Sequence, residues 1–399
     1  MRTLFLFVLI HIFFFSRAQE RCMTTAYLDV SQAAGTTESL NIRKAETFQK
    51  NKSHLRSIAD DEIIRIPVVV HVLYNQASQN ISDAQIQSGL DALNRDFRMR
   101  NADTVNTPER FRHLAADVMI EFYLAKSDPR GRATTGINRK YTSRLSWVPD
   151  DKIKLSSQGG LDGWDSKQYL NIWIGNIAGS SGYATVPGSA SATDGIVINP
   201  GAFGTVHTAA PFHLGRTTVH EVGHWLGLKH IWGDSQCGDD AVDDTPRQGF
   251  FTKGCPTGFR TSCENGEQGD MYMNYMDYTN DDCMNLFTLG QRQRMRAAFA
   301  EGGPRASLLA SKGLREPYLQ EAPTSVPEST LYPNPASDKV TIVVNSAMIG
   351  KKISIYSHNG QLQQVETIQS NQQAINIATL KPGLYFLKGE GLLQKFIKL

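Results

Sequence analysis

Three histidines and a glutamate stand at offsets that can build a metal centre: His220, Glu221, His224 and His230, within His220-Glu221-Val222-Gly223-His224-Trp225-Leu226-Gly227-Leu228-Lys229-His230. On a helix, His220 and His224 lie one turn apart on one face, so both imidazoles can reach a single ion with Glu221 beside it. Two ligands are too few for a catalytic zinc, which takes three protein donors and keeps a fourth position for water. Gly227 gives access to the third: it can adopt the left-handed conformation that ends a helix, and the turned chain then brings His230 back to the ion. Zinc on three neutral imidazoles draws the pKa of its water towards about 7, and Glu221 can accept that proton and pass it to a leaving amine. A bare H-E-x-x-H also fits an exposed helix with two unrelated histidines; the extended spacing argues for zinc.

Several elements must position these groups. Ile63 to Tyr74 is a dense β-branched run that reads as a buried strand. Ser82 is the expected N-cap of a helix over Asp83 to Asn94, with Ile86, Leu90 and Leu93 at helical spacing. Further strands are expected at Val118 to Leu124, Leu170 to Ile174 and Gly195 to Ile198, and Gly182 to Thr185 is the expected sheet edge along which a peptide can add. Alternating strands and helices predict an α/β upper subdomain that ends in the zinc helix. Beyond it, residues 233–285 are rich in Gly, Asp, Asn and Cys, an irregular segment that needs cross-links or metals, before a closing helix over 288–300. His71, in the buried strand, and His207 and His213, in the polar approach to the helix, read as packing or solvent-facing residues.

With 399 residues and a formal charge of +2, the chain predicts two or three domains and carries no basic footprint for nucleic acid. Residues 1–18 read as a signal peptide: an apolar run, LFLFVLIHIFFF, follows Arg2, precedes Ser16-Arg17-Ala18 and is too short to span a bilayer. No later stretch is long and apolar enough for a membrane helix. Residues 19–55 are polar and weakly periodic, as in a pro-segment; 56–315 would form the catalytic domain and 316–330, rich in Pro and Ser, a linker. Residues 331–399 alternate in short strands separated by turns, which predicts a small β-sandwich. Export permits disulfides; Cys237, Cys255, Cys263 and Cys283 follow the zinc helix, and their spacing alone allows three pairings.

At the zinc residues and at Asn274-Tyr275-Met276-Asp277-Tyr278, which reads as a Met-turn, the chain resembles the metzincin metallopeptidases. From Gly182 to Met295 it resembles the pappalysin family in particular, on the same motifs together with Asp243-Asp244-Thr245-Pro246, Asp282-Cys283-Met284 and the cysteine spacing. The resemblance implies an α+β chain: a metzincin-like zinc peptidase domain, with a twisted sheet, active-site and backing helices and an irregular lower subdomain, followed by the sandwich. It implies Met276 as the floor beneath the metal and the bridges Cys237–Cys263 and Cys255–Cys283. Tyr278, two residues past that methionine, is the candidate second donor to a tetrahedral oxyanion, against an ordinary core tyrosine.

The family's acidic residue at the base of the S1′ pocket corresponds to Asp282, with Asp281 the competing candidate and a solvated acidic turn the plain alternative. A carboxylate there implies cleavage N-terminal to Arg and, less readily, Lys. Relatives bind calcium in this region. Of Asp234, Asp239, Asp240, Asp243 and Asp244, the first choices for one or two calcium ions are Asp243 and Asp244 with Thr245, although solvated charge alone explains such a cluster. Cys22 can fill the open zinc position as a thiolate, the device by which the family keeps its zymogen inactive; a partnerless or lipid-linked thiol is the alternative. Leu55-Arg56 then fits self-cleavage. Leu331-Tyr332-Pro333-Asn334-Pro335-Ala336-Ser337, Pro382 to Phe386 and Lys395 to Leu399 resemble the C-terminal sorting domain of type IX secretion cargo, which implies that machinery as partner and an exported or outer-surface product. The expected function is a secreted, self-activating zinc endopeptidase acting on proteins or peptides; a surface binding or adhesion protein with a structural zinc is the rival, and Glu221 discriminates, since a structural site needs no proton shuttle.

Overall fold

The computed structural model describes residues 20–32, 37–52, 62–317, 329–344, 346–390 and 392–399. The expected signal peptide and the Leu55-Arg56 bond lie outside the described residues. The chain divides into two compact units, Met1–Tyr318 and Leu319–Leu399.

β1 (Ile64–Tyr74) is the spine of a six-stranded sheet in the first unit. Its eleven residues are long enough to pair in parallel with β2 (Ile120–Leu124) and β3 (Ile137–Tyr141) along one side and β4 (Leu170–Ile174) along the other. β6 (Ile196–Ile198) extends the sheet from β4, and β5 (Gly182–Ala184) closes that edge antiparallel to β6. Ile64, Ile66, Val68, Val70 and Val72 alternate onto one face, where they bury against α3 (Asp83–Phe97) and α5 (Arg216–Trp225). Ser82 caps α3 by accepting the Gln85 N–H. That helix runs three residues beyond Asn94, to Phe97, because the Phe97 ring packs on Phe122 and Phe287. The other face carries Leu73, Trp173, Tyr183 and Val197.

His71 is buried on that second face, stacked on Trp173 and hydrogen bonded to Asn171 and Asn138. Burial holds its pKa down, at about 4 against 6.5 in an open chain. Between those values the unfolded chain binds a proton that the folded chain refuses, so stability is full above 6.5 and falls as pH drops towards 4, by about 3 kcal/mol. His71→Gln is expected to remove that slope, read as denaturant midpoints compared near pH 7 and near pH 4.5.

The polar segment of residues 19–55 contains two helices, α1 (Thr24–Gln32) and α2 (Thr37–Lys52). Their apolar signal is weak because only a few residues, Tyr27, Ile42 and Ala45 among them, are buried. A single turn, α4 (Glu109–Arg112), precedes β2. The irregular stretch after His230 is cross-linked by Cys237–Cys263 and Cys255–Cys283. α6 (Leu289–Ala297) starts at a Thr288/Gln291 capping box and ends three residues short of the expected Ala300, where the chain tightens into three-residue turns.

The second unit has two antiparallel sheets, one of four strands and one of three, around Val340, Ile342, Ile355, Leu387 and Phe396. β8 (Lys339–Val343), β9 (Lys352–Ser357), β11 (Gln372–Asn376), β12 (Gly383–Gly389) and β13 (Leu392–Lys398) are short strands separated by turns, as expected of residues 331–399. β7 (Thr330–Tyr332) is short and β10 (Leu362–Thr367) is a polar edge strand with neither face buried, so neither carries a clear apolar alternation. Among the described residues no helix is long and apolar enough to cross a membrane.

Candidate metal centre

α5 leaves a left-handed Gly215 (φ 79°). In place of an N-cap side chain, Asp281 Oδ2 accepts the N–H groups of Leu214 and Arg216 at 2.8 and 3.3 Å. The helix stops at Gly227 (φ 96°) in a Schellman motif, with Leu228 N–H donating to Gly223 O and Gly227 N–H to His224 O. That turn returns His230 to the helix, as its spacing predicts: His224 Nε2 lies 3.1 Å from both His220 Nε2 and His230 Nε2. Gly223 lies between the first two histidines, and a Cβ there would sit 2.5 Å from the sulfur of the buried Met276. The Met-turn thus packs directly on the zinc helix.

The three Nδ1 atoms face acceptors: Tyr275 O for His220 at 2.7 Å, Leu228 O for His224 at 2.9 Å and Asp234 Oδ1 for His230. Protons on Nδ1 leave three bare Nε2 lone pairs converging in a buried space. Burial, followed by the charge of neighbouring histidines, pushes the pKa values of His220 and His224 down and keeps them neutral, the ligating form. Glu221 is fully buried, its Oε1 has no hydrogen-bond partner and burial raises its pKa to about 8. Cys22 Sγ completes a group of four donor atoms lying within 4.8 Å of one another. Burial pushes that thiol up, so a bound cation is what would hold the sulfur as thiolate. The donor set fits one tetrahedral zinc.

The segment around Cys22 lies along the sheet edge. Glu20 N–H donates to Gly179 O, Ser181 N–H to Glu20 O and Met23 N–H to Gly182 O, a run parallel to β5. Thr24 Oγ1 donates to Glu221 Oε2 at 2.9 Å and accepts the Ala184 N–H. The Tyr278 hydroxyl donates to the Cys22 carbonyl at 3.0 Å, while its ring packs on Trp232 and Phe251. Arg21 extends into a buried pocket, where its guanidinium meets Thr279 O at 2.8 Å and Asp281 Oδ1 at 2.5 Å.

The two neighbouring acids are placed differently. Asp282 is half exposed and faces His213 at 3.6 Å, whereas the Asp281 side chain is wholly buried on Arg21. Both lie in one helical turn, Asp281–Cys283, so neighbours point in different directions; the helix N–H groups draw Asp281 inward. The acids of the irregular loop have several partners. Asp234 orients His230, Asp240 takes the Thr245 hydroxyl, and Asp244 accepts from Thr288 and Gly290 at the start of α6. Asp239, Asp243 and Asp244 line one cavity.

The acidic run disguised Asp234; its distance of four residues from His230 was the available signal. Asp234→Asn is expected to lower metal affinity and kcat/KM by about 10- to 100-fold, read by competition with a chelating dye and by peptide turnover.

Residues 156–300 match the sequence profile described as Pregnancy-associated plasma protein-A, and residues 330–398 match the Secretion system C-terminal sorting domain. The chain is 33% identical over 258 residues to the extracellular metalloprotease of Pyricularia oryzae, covering 61% of this chain and 77% of that protein. It is 41% identical over 205 residues to the extracellular metalloprotease of Arthroderma benhamiae, covering 46% and 66%. Among solved structures, Tannerella forsythia mature mirolysin in complex with a cleaved peptide is similar at 48% identity and a TM-score of 0.61, covering 62% of this chain and 96% of that one. A mutant of Tannerella forsythia promirolysin is similar at 43% and 0.65, covering 72% and 97%. With this metal group, this Met-turn and these relatives, the chain belongs to the pappalysin family of secreted metalloendopeptidases and carries a secretion-system sorting domain at its C-terminal end.

Proposed function

We propose that the protein is a zinc endopeptidase that cleaves extended chains on the N-terminal side of arginine, and lysine less readily, and that it is made as a latched precursor. The observation that carries the reading is the convergence of three Nε2 atoms, each fixed through its Nδ1, beside the unpaired Oε1 of Glu221. His220, His224 and His230 would hold the ion, which when bound supplies Lewis acidity towards water and the scissile carbonyl. Glu221 takes the proton of the attacking water and returns it to the leaving amine. Tyr278 donates its hydroxyl to the carbonyl oxygen as negative charge builds there, the place its hydroxyl gives to the Cys22 carbonyl in the precursor. β5 supplies main-chain donors and acceptors to the substrate backbone.

Asp281 would pair with the arginine side chain after the scissile bond, as it does with Arg21. Asp281→Asn keeps an acceptor for Leu214 and Arg216 while removing the charge, and is expected to reduce the preference for Arg over Gln about 10- to 100-fold. Equal selectivity in that variant would reject the assignment.

Removal of residues 19–55, at Leu55-Arg56, would open the site, and the same specificity supports self-cleavage. Calcium at Asp243, Asp244 and Thr245 would brace the loop; melting after chelation that zinc alone restores would exclude it. The deciding experiment is mass spectrometry of peptides released from a denatured protein mixture: new N-termini beginning in Arg with wild type, and none with Glu221→Ala.

A further inference from the structure

Tyr27 fills an aromatic slot on the face of the sheet opposite Glu221. Gly182 lies against Glu221, so Tyr183, the next residue of β5, points to the other face. There its ring and that of Tyr27 lie 5.1 Å apart, centroid to centroid. The Lys154 ammonium, fully buried, lies 5.0 Å from the Tyr27 ring, 5.1 Å from Tyr183 and 5.5 Å from Trp173. Asp151 binds both ends of the arrangement: Oδ1 pairs with Lys154 at 2.7 Å and Oδ2 accepts the Tyr27 hydroxyl at 2.8 Å. A lysine buried among three rings and paired with one carboxylate is costly unless something covers it, and in the precursor Tyr27 is that cover.

The direction of the chain says what replaces it. Cleavage before arginine places the arginine after the scissile bond, yet Arg21 enters the Asp281 pocket from the residue before Cys22. The precursor segment therefore runs opposite to a substrate, and a substrate lies antiparallel to β5. Residues C-terminal to the scissile bond then occupy the Arg21 side, and residues N-terminal to it pass Tyr183. Alternate side chains of that added strand fall on the Tyr183 face.

We propose that the slot vacated by Tyr27, formed by Lys154, Asp151, Tyr183 and Trp173, is a substrate subsite for an aromatic side chain, tyrosine above all, N-terminal to the cleaved bond. The inference rests on the precursor reading above, in which residues 19–55 leave. Lys154 supplies the cation facing the ring, Tyr183 and Trp173 the walls, and Asp151 the acceptor for a phenol. The slot makes this enzyme read two points of a chain, an arginine after the bond and an aromatic residue before it.

The test uses the processed enzyme and quenched peptides of one sequence cleaved before Arg, with Ala, Tyr, Phe or cyclohexylalanine placed in turn at the second to fifth residue N-terminal to the bond. At one position Tyr should exceed Ala about 5- to 20-fold in kcat/KM, with Phe between them and cyclohexylalanine, which has the bulk but no π face, near Ala. In Lys154→Met the Tyr-to-Ala ratio should fall towards one. Peptides cleaved before Arg with no position favouring Tyr would overturn the subsite and leave the peptidase reading intact. Cyclohexylalanine equal to Tyr would overturn the cation-bearing slot even if the variant does not fold. If no peptide is cleaved, the peptidase reading falls and takes the subsite with it.

Discussion

Replacing Glu221 by glutamine is expected to lower kcat/KM on an Arg-containing peptide by about 10³-fold while the metal stays bound. The magnitude follows from what a positioned general base contributes, about 10² to 10⁴ in rate, or about 3 to 5 kcal/mol of transition-state stabilisation. Glutamine has the same shape and can present its amide oxygen to the Thr24 hydroxyl that now donates to Glu221 Oε2, so the fold and the three imidazoles are undisturbed. KM should move little, because Glu221 acts on water rather than on the substrate's side chains. Metal content by elemental analysis and kinetics on one peptide check both halves. A variant that turns over at the wild-type rate with its metal in place would remove Glu221 from the chemistry and return the site to a structural role.

The spacing of His220, His224, Gly227 and His230 made the centre legible because each offset has a geometric meaning, a helical turn or a left-handed stop. The spine strand was legible as a β-branched run buried nearly throughout, and α3 because its buried residues repeat at the helical period. What was not legible lies where a residue's partner is distant in sequence. Asp281 and Asp282 are chemically identical neighbours, and what holds Asp281 inward, the N–H groups of Leu214 and Arg216 and the Arg21 guanidinium, lies far upstream. Asp234 read as one of several loop acids because nothing local marks a carboxylate as the partner of an imidazole. The helices α1 and α2 have little apolar periodicity of their own; Gln49 on α2, for example, is held by Leu226 O and Arg294 O, carbonyls at the end of the zinc helix and on α6.

The precursor bearing Cys22→Ala is expected to convert to mature enzyme at least about tenfold faster than wild type, and Arg21→Ala in the same chain to accelerate it by roughly a further 10- to 100-fold. Cys22 is one of several contacts that close the site. Removing its sulfur opens the fourth donor position, yet Thr24 still holds Glu221 and Ala184, and Arg21 still holds Asp281. The Arg21–Asp281 pair is fully buried and charge-assisted, so under the proposed specificity it would compete with a substrate arginine for that pocket. Truncating Arg21 also leaves Asp281 buried without its cation, which favours any chain that offers a new arginine. If, as proposed, the segment runs opposite to a substrate, neither substitution would turn it into a cleavable chain, and the gain would come from release of the segment. Gel analysis of uncleaved chain against time, with zinc present throughout, separates the two contributions. A Cys22→Ala precursor that binds metal and stays as inert as wild type would sink the thiolate latch, and an Arg21→Ala precursor that matures at the wild-type rate would remove the arginine from it.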